Sequence, residues 1–310
     1  MKIRAFIFII IASVLWGTSG IFVNNLSPYG FTSLQMTAVR ATVSFLFLLI
    51  FVFIKDRKLF RTKPVDLLIF ALGGLGLFGT SSCYYASMQL TSISTAVVLM
   101  YTAPIFVTVF SVIFMKEKLT LLKVISIACM LVGCCFVSGL IGGFKFDAVG
   151  ILLGLLSGVA YATYNVATKI AVNRNNSSVT ASFYSIMFMA VFAIAFCSPW
   201  EIPFHIAKEP VITVPFIIGL GVITHVIPYL LYSNAMSYLP AGTTTAMGII
   251  EPMSATLFSV FVYQEVLDVW AIIGIILILL AVFLLSRTES EKQESEGSTV
   301  KNADEAQASS

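Results

Sequence analysis

Charge is scarce in this chain: Asp, Glu, Lys and Arg make up 11% of its 310 residues, while hydrophobic residues reach 58%. So little polar surface cannot coat a water-soluble globule of that length, which excludes a soluble domain. Cysteine is sparse too, and Cys83, Cys129, Cys134, Cys135 and Cys197 show no CxxC spacing. They read as small apolar packing residues, and no metal site is expected. No GxxxxGK[ST] occurs, so ATP hydrolysis by this chain is not expected. The one GxGxxG match, Gly74 to Gly79, lies in an apolar run with no acidic residue about 20 positions on, and reads as helix-packing glycine. Gly150, Gly154 and Gly158 read the same way, and the sequon at Asn175 to Ser177 falls in a loop expected to be cytoplasmic. No cofactor is implied.

What is present is a series of long apolar blocks, each near the roughly 20 residues that cross a hydrocarbon core about 30 Å thick. Ten helical spans are expected, at 5–23, 32–54, 67–87, 93–115, 120–140, 149–170, 179–198, 212–232, 240–263 and 268–286. The fold class is therefore an all-α polytopic membrane protein. The first block follows Lys2 and Arg4 like a secretory signal, yet its apolar run continues through Trp16 to Val23. It reads as a transmembrane helix. From Arg287 the chain turns polar, and residues 287–310 are expected to form a disordered cytoplasmic tail.

With the N-terminus in the cytoplasm, the inner loops and tails collect Lys2, Arg4, Lys55, Arg57, Lys58, Arg61, Lys63, Lys116, Lys118, Lys123, Lys169, Arg174, Arg287, Lys292 and Lys301. The outer side receives only Lys145 and Lys208, and Arg40 lies inside a span. This positive-inside bias puts both termini in the cytoplasm of a cell-membrane protein.

Shifting the sequence by 148 positions lays residues 84–120 over 232–268 without a gap, with Pro104 on Pro252 and Glu117 on Glu265 among the identities. The first copy runs into Lys116 and Lys118, the second into Gln264, Glu265 and Asp268, so their ends face opposite sides. Five spans per copy is an odd number, which requires the same inversion. The expected organisation is a first repeat over 1–142 and a second, inverted, over 143–286. Halves so related can open a shared site to one side and then the other, which points to transport by alternating access.

Several residues carry the chemistry such a site needs. Glu251 stands beside Pro252, about nine residues or 14 Å into its span, where an unpartnered charge costs at least about 2–3 kcal/mol. Proline gives no N–H to the ladder, so Pro104, Pro228 and Pro252 are expected helix kinks. Glu251 reads either as a group for a substrate ammonium or a coupling proton, or as one half of a buried ion pair with Arg40. For Arg40 a structural anchoring role is favoured over substrate contact, with a carboxylate or carbonyl partner required because guanidinium does not shed its proton. His225, in HVIPYLLY, is a second coupling candidate against a simple packing role. Trp16, Ser19, Tyr101, Tyr161, Tyr164 and Asn165 add aromatic faces, hydroxyls and an amide suited to an organic solute.

Trp16-Gly17, Arg40, Pro104 to Glu117, Glu251-Pro252 to Glu265, and the later Gly133 and Gly274 together resemble the EamA-type transporters of the drug/metabolite transporter superfamily. That resemblance spans about residues 5–286. It implies two inverted five-helix repeats around a cavity formed by spans 1, 3, 4, 6, 8 and 9. It also implies efflux of metabolites, often amino acids, by a chain with no catalytic residues. The expected partners are a small-molecule solute and the lipid bilayer, with no nucleic acid and with a homodimer left open. Two other classes compete: an intramembrane protease using Ser19, in the GxSG stretch Gly17 to Gly20, with His225; and a structural or receptor protein that moves no solute.

Overall fold

In a computed structural model of the chain, the residues described are 2–103, 105, 106, 110, 121–137, 147–174, 176–236, 250–264, 266, 267, 269, 270, 272–281 and 284. They form helices and turns, with no strand among them. In chain order the helices are α1 (Lys2–Gly17), α2 (Ser19–Leu26), α3 (Ser33–Lys55), α4 (Pro64–Leu90), α5 (Ile93–Met100), α6 (Leu121–Val137) and α7 (Ala148–Asn173). There follow α8 (Ser178–Phe196), α9 (Ile202–Lys208), α10 (Pro210–Gly221), α11 (Ile227–Met236), α12 (Ile250–Tyr263) and α13 (Ile272–Ala281).

Six stretches among the described residues are long and apolar enough to cross a bilayer: Arg4–Tyr29, Ser33–Lys55, Pro64–Leu90, Ala148–Thr168, Val179–Phe196 and Pro210–Tyr232. They coincide with expected spans 1, 2, 3, 6, 7 and 8. The other expected spans fall partly outside the described residues, and their described parts, α5, α6, α12 and α13, are helical. The segment joining the two repeats, the Lys116 to Lys118 and Glu265 loop charges, Pro104 and the tail also lie outside them.

Local chemistry sets the helix starts. Thr32 and Gln35 form a reciprocal box at the head of α3: the Thr32 hydroxyl accepts from the Gln35 N–H at 3.2 Å, and Gln35 Oε1 accepts from the Thr32 N–H at 3.0 Å. Ser92 and Ser177 cap α5 and α8, and Pro64 and Pro210 open α4 and α10, where a missing N–H costs nothing.

The outer surface is apolar, unlike that of a soluble protein. Leu, Ile, Val and Phe such as Ile54, Leu68, Val211 and Phe204 face outward, while Ser13, Thr37, Ser44, Ser87 and Thr224 are buried between helices. Lipid supplies no apolar driving force between helices, so small residues and interhelical hydrogen bonds do the work. Gly76 shows why: a Cβ there would stand 2.7 Å from the Tyr164 nitrogen and 2.8 Å from the Ala160 oxygen, both backbone atoms of α7. At one end of the same helix pair, Arg174 Nε and Asn176 Nδ2 donate to the buried Asp66 carboxylate. The short helix α9, unexpected from sequence, lies over the link between α2 and α3, where Lys208 Nζ donates to the Tyr29 carbonyl at 2.7 Å. Its brief apolar run is broken by Pro203 and flanked by charge, too short to register as periodicity.

Because backbone cannot retreat as a side chain can, Gly76→Ala should destabilise the protein by about 1–3 kcal/mol. Gly79→Ala, whose new Cβ meets only the Ala160 Cβ at 3.0 Å, should cost less. Thermal unfolding of the two variants in one detergent checks the order.

Candidate functional site

The link from sequence to site runs through Pro228. It offers no N–H to the carbonyl of Thr224, four residues back, and the turn before it, Val222–Val226, is a π-helix. Arg40, reaching across from α3, takes that carbonyl through Nη2 at 2.9 Å. Its Nη1 donates to the Tyr85 hydroxyl at 2.6 Å and to Ser81 Oγ at 3.2 Å. Ser44, one turn after Arg40, donates to the Arg40 carbonyl at 2.7 Å and lies 3.1 Å from the Gly221 carbonyl. Gly221 carries no side chain that would press on Val43. The two helices are thus locked by polar groups where the ladder is disturbed.

This arrangement corrects the expected ion pair. Arg40 has no carboxylate within salt-bridge distance among the described residues, and its partners are two hydroxyls and a carbonyl. The reason is local: the carbonyl left bare by Pro228 and the hydroxyls of α4 lie closer to the guanidinium than Glu251 does. Arg40 is also more than an anchor, because it lines a cavity.

That cavity, about 50 Å³, is lined by Trp16, Ser19, Arg40, Leu77, Thr80, Ser81, Tyr84, Met100, Tyr161, His225, Tyr229 and Glu251. It has room for a few waters. Trp16, Ser19, Tyr161, His225 and Glu251 were expected from sequence. Tyr101 is held beside it, donating to Glu251 Oε2 at 2.8 Å. Glu251 is only 8% exposed, so that charge-assisted bond stabilises a carboxylate otherwise cut off from water. Tyr164 and Asn165 are not part of the lining. Tyr164 instead backs it, its ring 6.3 Å from Tyr161 and 6.1 Å from Tyr229.

The aromatic wall is continuous: Trp16 packs 5.6 Å from Tyr229 and 5.4 Å from Tyr232, and His225 stacks on Tyr229 at 4.6 Å. Leu77, Thr80, Ser81 and Tyr84 were missed, although their spacing of three, four and seven residues marks one face of α4. Span 2 was likewise missing from the expected cavity helices. Its contribution comes from a single long side chain, which helix-level reasoning does not register.

The EamA-like transporter family matches residues 3–139 and 148–287. The chain belongs to that family. An uncharacterized transporter from Archaeoglobus fulgidus is 28% identical over 90% of this chain and 95% of its own length. The Bacillus subtilis transporter YwfM is 23% identical over 94% and 96%. Mouse solute carrier family 35 member G1 is 21% identical over 86% of this chain and 73% of its own. A crystal structure at 18% identity superposes with a TM-score of 0.60 over 92% of this chain and 98% of the other, a likeness of fold. This EamA-like chain, of the drug/metabolite transporter superfamily, is a multi-pass membrane transporter whose partners are a small-molecule substrate and the lipid bilayer. It is not an enzyme. The protease alternative also lacks its dyad: Ser19 Oγ donates to the Trp16 carbonyl at 2.7 Å, and neither His225 nitrogen has a hydrogen-bond partner.

A lysine at position 40 is a point charge that cannot reach Ser81, Tyr85 and the Thr224 carbonyl together. Arg40→Lys should therefore lower stability by about 1–3 kcal/mol, the cost of a buried group left unpaired. Thermal unfolding of the purified variant against the parent measures it.

Proposed function

We propose that this protein is a secondary transporter that exports amino acids or related small metabolites across the cytoplasmic membrane by alternating access. The observation that carries the reading is the buried Glu251 carboxylate, bonded to Tyr101 and facing a cavity walled by Trp16, Tyr161 and Tyr229. A carboxylate among aromatic faces suits an ammonium, through charge and through cation–π attraction. The lining draws on helices from both halves of the chain, α1 to α5 in the first and α7, the π-turn, α11 and α12 in the second. That is the placement a site shared by two halves requires.

On this reading residues 1–142 and 143–286 are two five-helix repeats of opposite orientation, a division supported by the offset alignment and by the two family matches. Both termini then lie in the cytoplasm. Glu251 also serves as the coupling group: it binds either the substrate ammonium or a proton, so that the two exchange. A cavity of about 50 Å³ is well below the roughly 300–1,000 Å³ of ordinary ligand pockets, so on this reading loading involves movement of the helices around it.

Counterflow of labelled amino acids in proteoliposomes tests the proposal. The parent should accumulate at least one member of the panel, and an imposed pH gradient should change the rate. Glu251→Gln, which keeps shape and loses charge, should abolish the response to the gradient and cut uptake about tenfold or more. Equal rates with and without the gradient would leave facilitated diffusion in place of coupling. No amino acid flux at all would overturn the substrate class.

A further inference from the structure

Two side chains of the cavity lining carry unspent hydrogen-bond capacity. Arg40 Nε is buried with no partner, although the rest of the guanidinium is occupied by Ser81, Tyr85 and the Thr224 carbonyl. Both ring nitrogens of His225, the residue next to Thr224, are also without a partner, and the side chain is 1% exposed. Arg40 and His225 both line the cavity. Each buried donor left unmade is costly, and native proteins rarely tolerate several side by side without a ligand or ordered water to take them.

The groups are also fixed. Arg40 is held by three hydrogen bonds, and His225 by its stack on Tyr229 and by the π-turn that sets it one residue beyond the bonded carbonyl. A guanidinium that keeps its proton, and with which no carboxylate pairs among the described residues, retains its charge. Glu251, across the same lining, is paired with a phenol and not with a cation. The lining thus carries a guanidinium and a carboxylate that are not paired with each other.

We propose that Arg40 and His225 form an anion subsite that takes the carboxylate of the transported solute, while Glu251 takes its ammonium. The substrates are then zwitterions and not amines. This rests on the proposed transport function and narrows it. Arg40 donates through Nε and His225 through one ring N–H to the carboxylate oxygens; no covalent step is involved. The Thr224 carbonyl left by Pro228 has a purpose in this account, since it holds the guanidinium at the cavity wall with Nε still without a partner.

The test compares amino acids with their carboxamides, which keep the ammonium and lose the carboxylate, in proteoliposomes holding the full chain. In the parent, each transported amino acid should outpace its carboxamide about tenfold or more. His225→Phe, which preserves ring stacking on Tyr229 but removes the N–H, should raise the KM for the acid and shrink the acid-to-amide ratio toward one. Arg40→Lys should shrink it further. A variant that was merely unstable would slow both solutes alike and leave the ratio unchanged, which contradicts the subsite. Parent protein that carries amides as fast as acids would also overturn it, with the transport function intact. Failure of acids and amides alike to move would remove the transport reading and the subsite with it.

Discussion

A guanidinium inside a membrane protein must find hydrogen-bond acceptors, because it neither releases its proton nor reaches bulk water. In this chain the accommodation of Arg40 organises the helices around it. Pro228 withholds an N–H, the Thr224 carbonyl is left bare, and Arg40 closes the gap from another span while Tyr85 and Ser81 take its other amino group. Three spans, the second, third and eighth, are tied at one point. The tie depends on fork geometry that lysine does not have, and on a proline whose defect creates the acceptor.

The rest of the site follows from that tie. With α3 and the π-turn joined, His225 is set beside Tyr229, and the ring wall continues to Trp16. Close backbone approach elsewhere, such as α4 on α7 at Gly76, lets the small-residue faces pack without side chains between them. Gly17 does the same for α1 and α12: a Cβ there would lie 2.7 Å from Ser254 Cβ and 2.9 Å from the Ala255 nitrogen, three and four residues past Glu251. The carboxylate is therefore carried toward Trp16 by a glycine contact. Charges of both signs face one small cavity without touching, which is the arrangement on which the proposed zwitterion site depends.

Much of this was legible in the sequence, for identifiable reasons. Span positions follow from apolar length, which the bilayer enforces, and the six membrane-length stretches among the described residues begin and end within about six residues of the expected spans. Glu251, His225 and Trp16 were found because polar or amphipathic groups in apolar runs are expensive and so conspicuous. Arg40 was conspicuous too, with a carboxylate or a carbonyl expected as its partner; the ion pair with Glu251 is not formed, and the acceptor is a backbone carbonyl on another span. Such a carbonyl leaves no residue-type signal. Tyr164 and Asn165 were placed in the site as an aromatic and an amide of span 6; three and four residues on from Tyr161 they share its side of the helix, and Tyr164 stacks behind Tyr161 without reaching the lining. The hydroxyl stripe on α4 obeys that same periodicity and was available to the eye.

Everything proposed about function depends on the halves of the chain facing opposite ways around this cavity. The most direct measurement replaces the native cysteines, introduces single cysteines at Lys118 or Val266, and applies a membrane-impermeant thiol reagent to intact cells. The account predicts that position 266 reacts from outside and that position 118 reacts only after the membrane is opened. Labelling of both from the same side would contradict the inverted arrangement, and with it the alternating site.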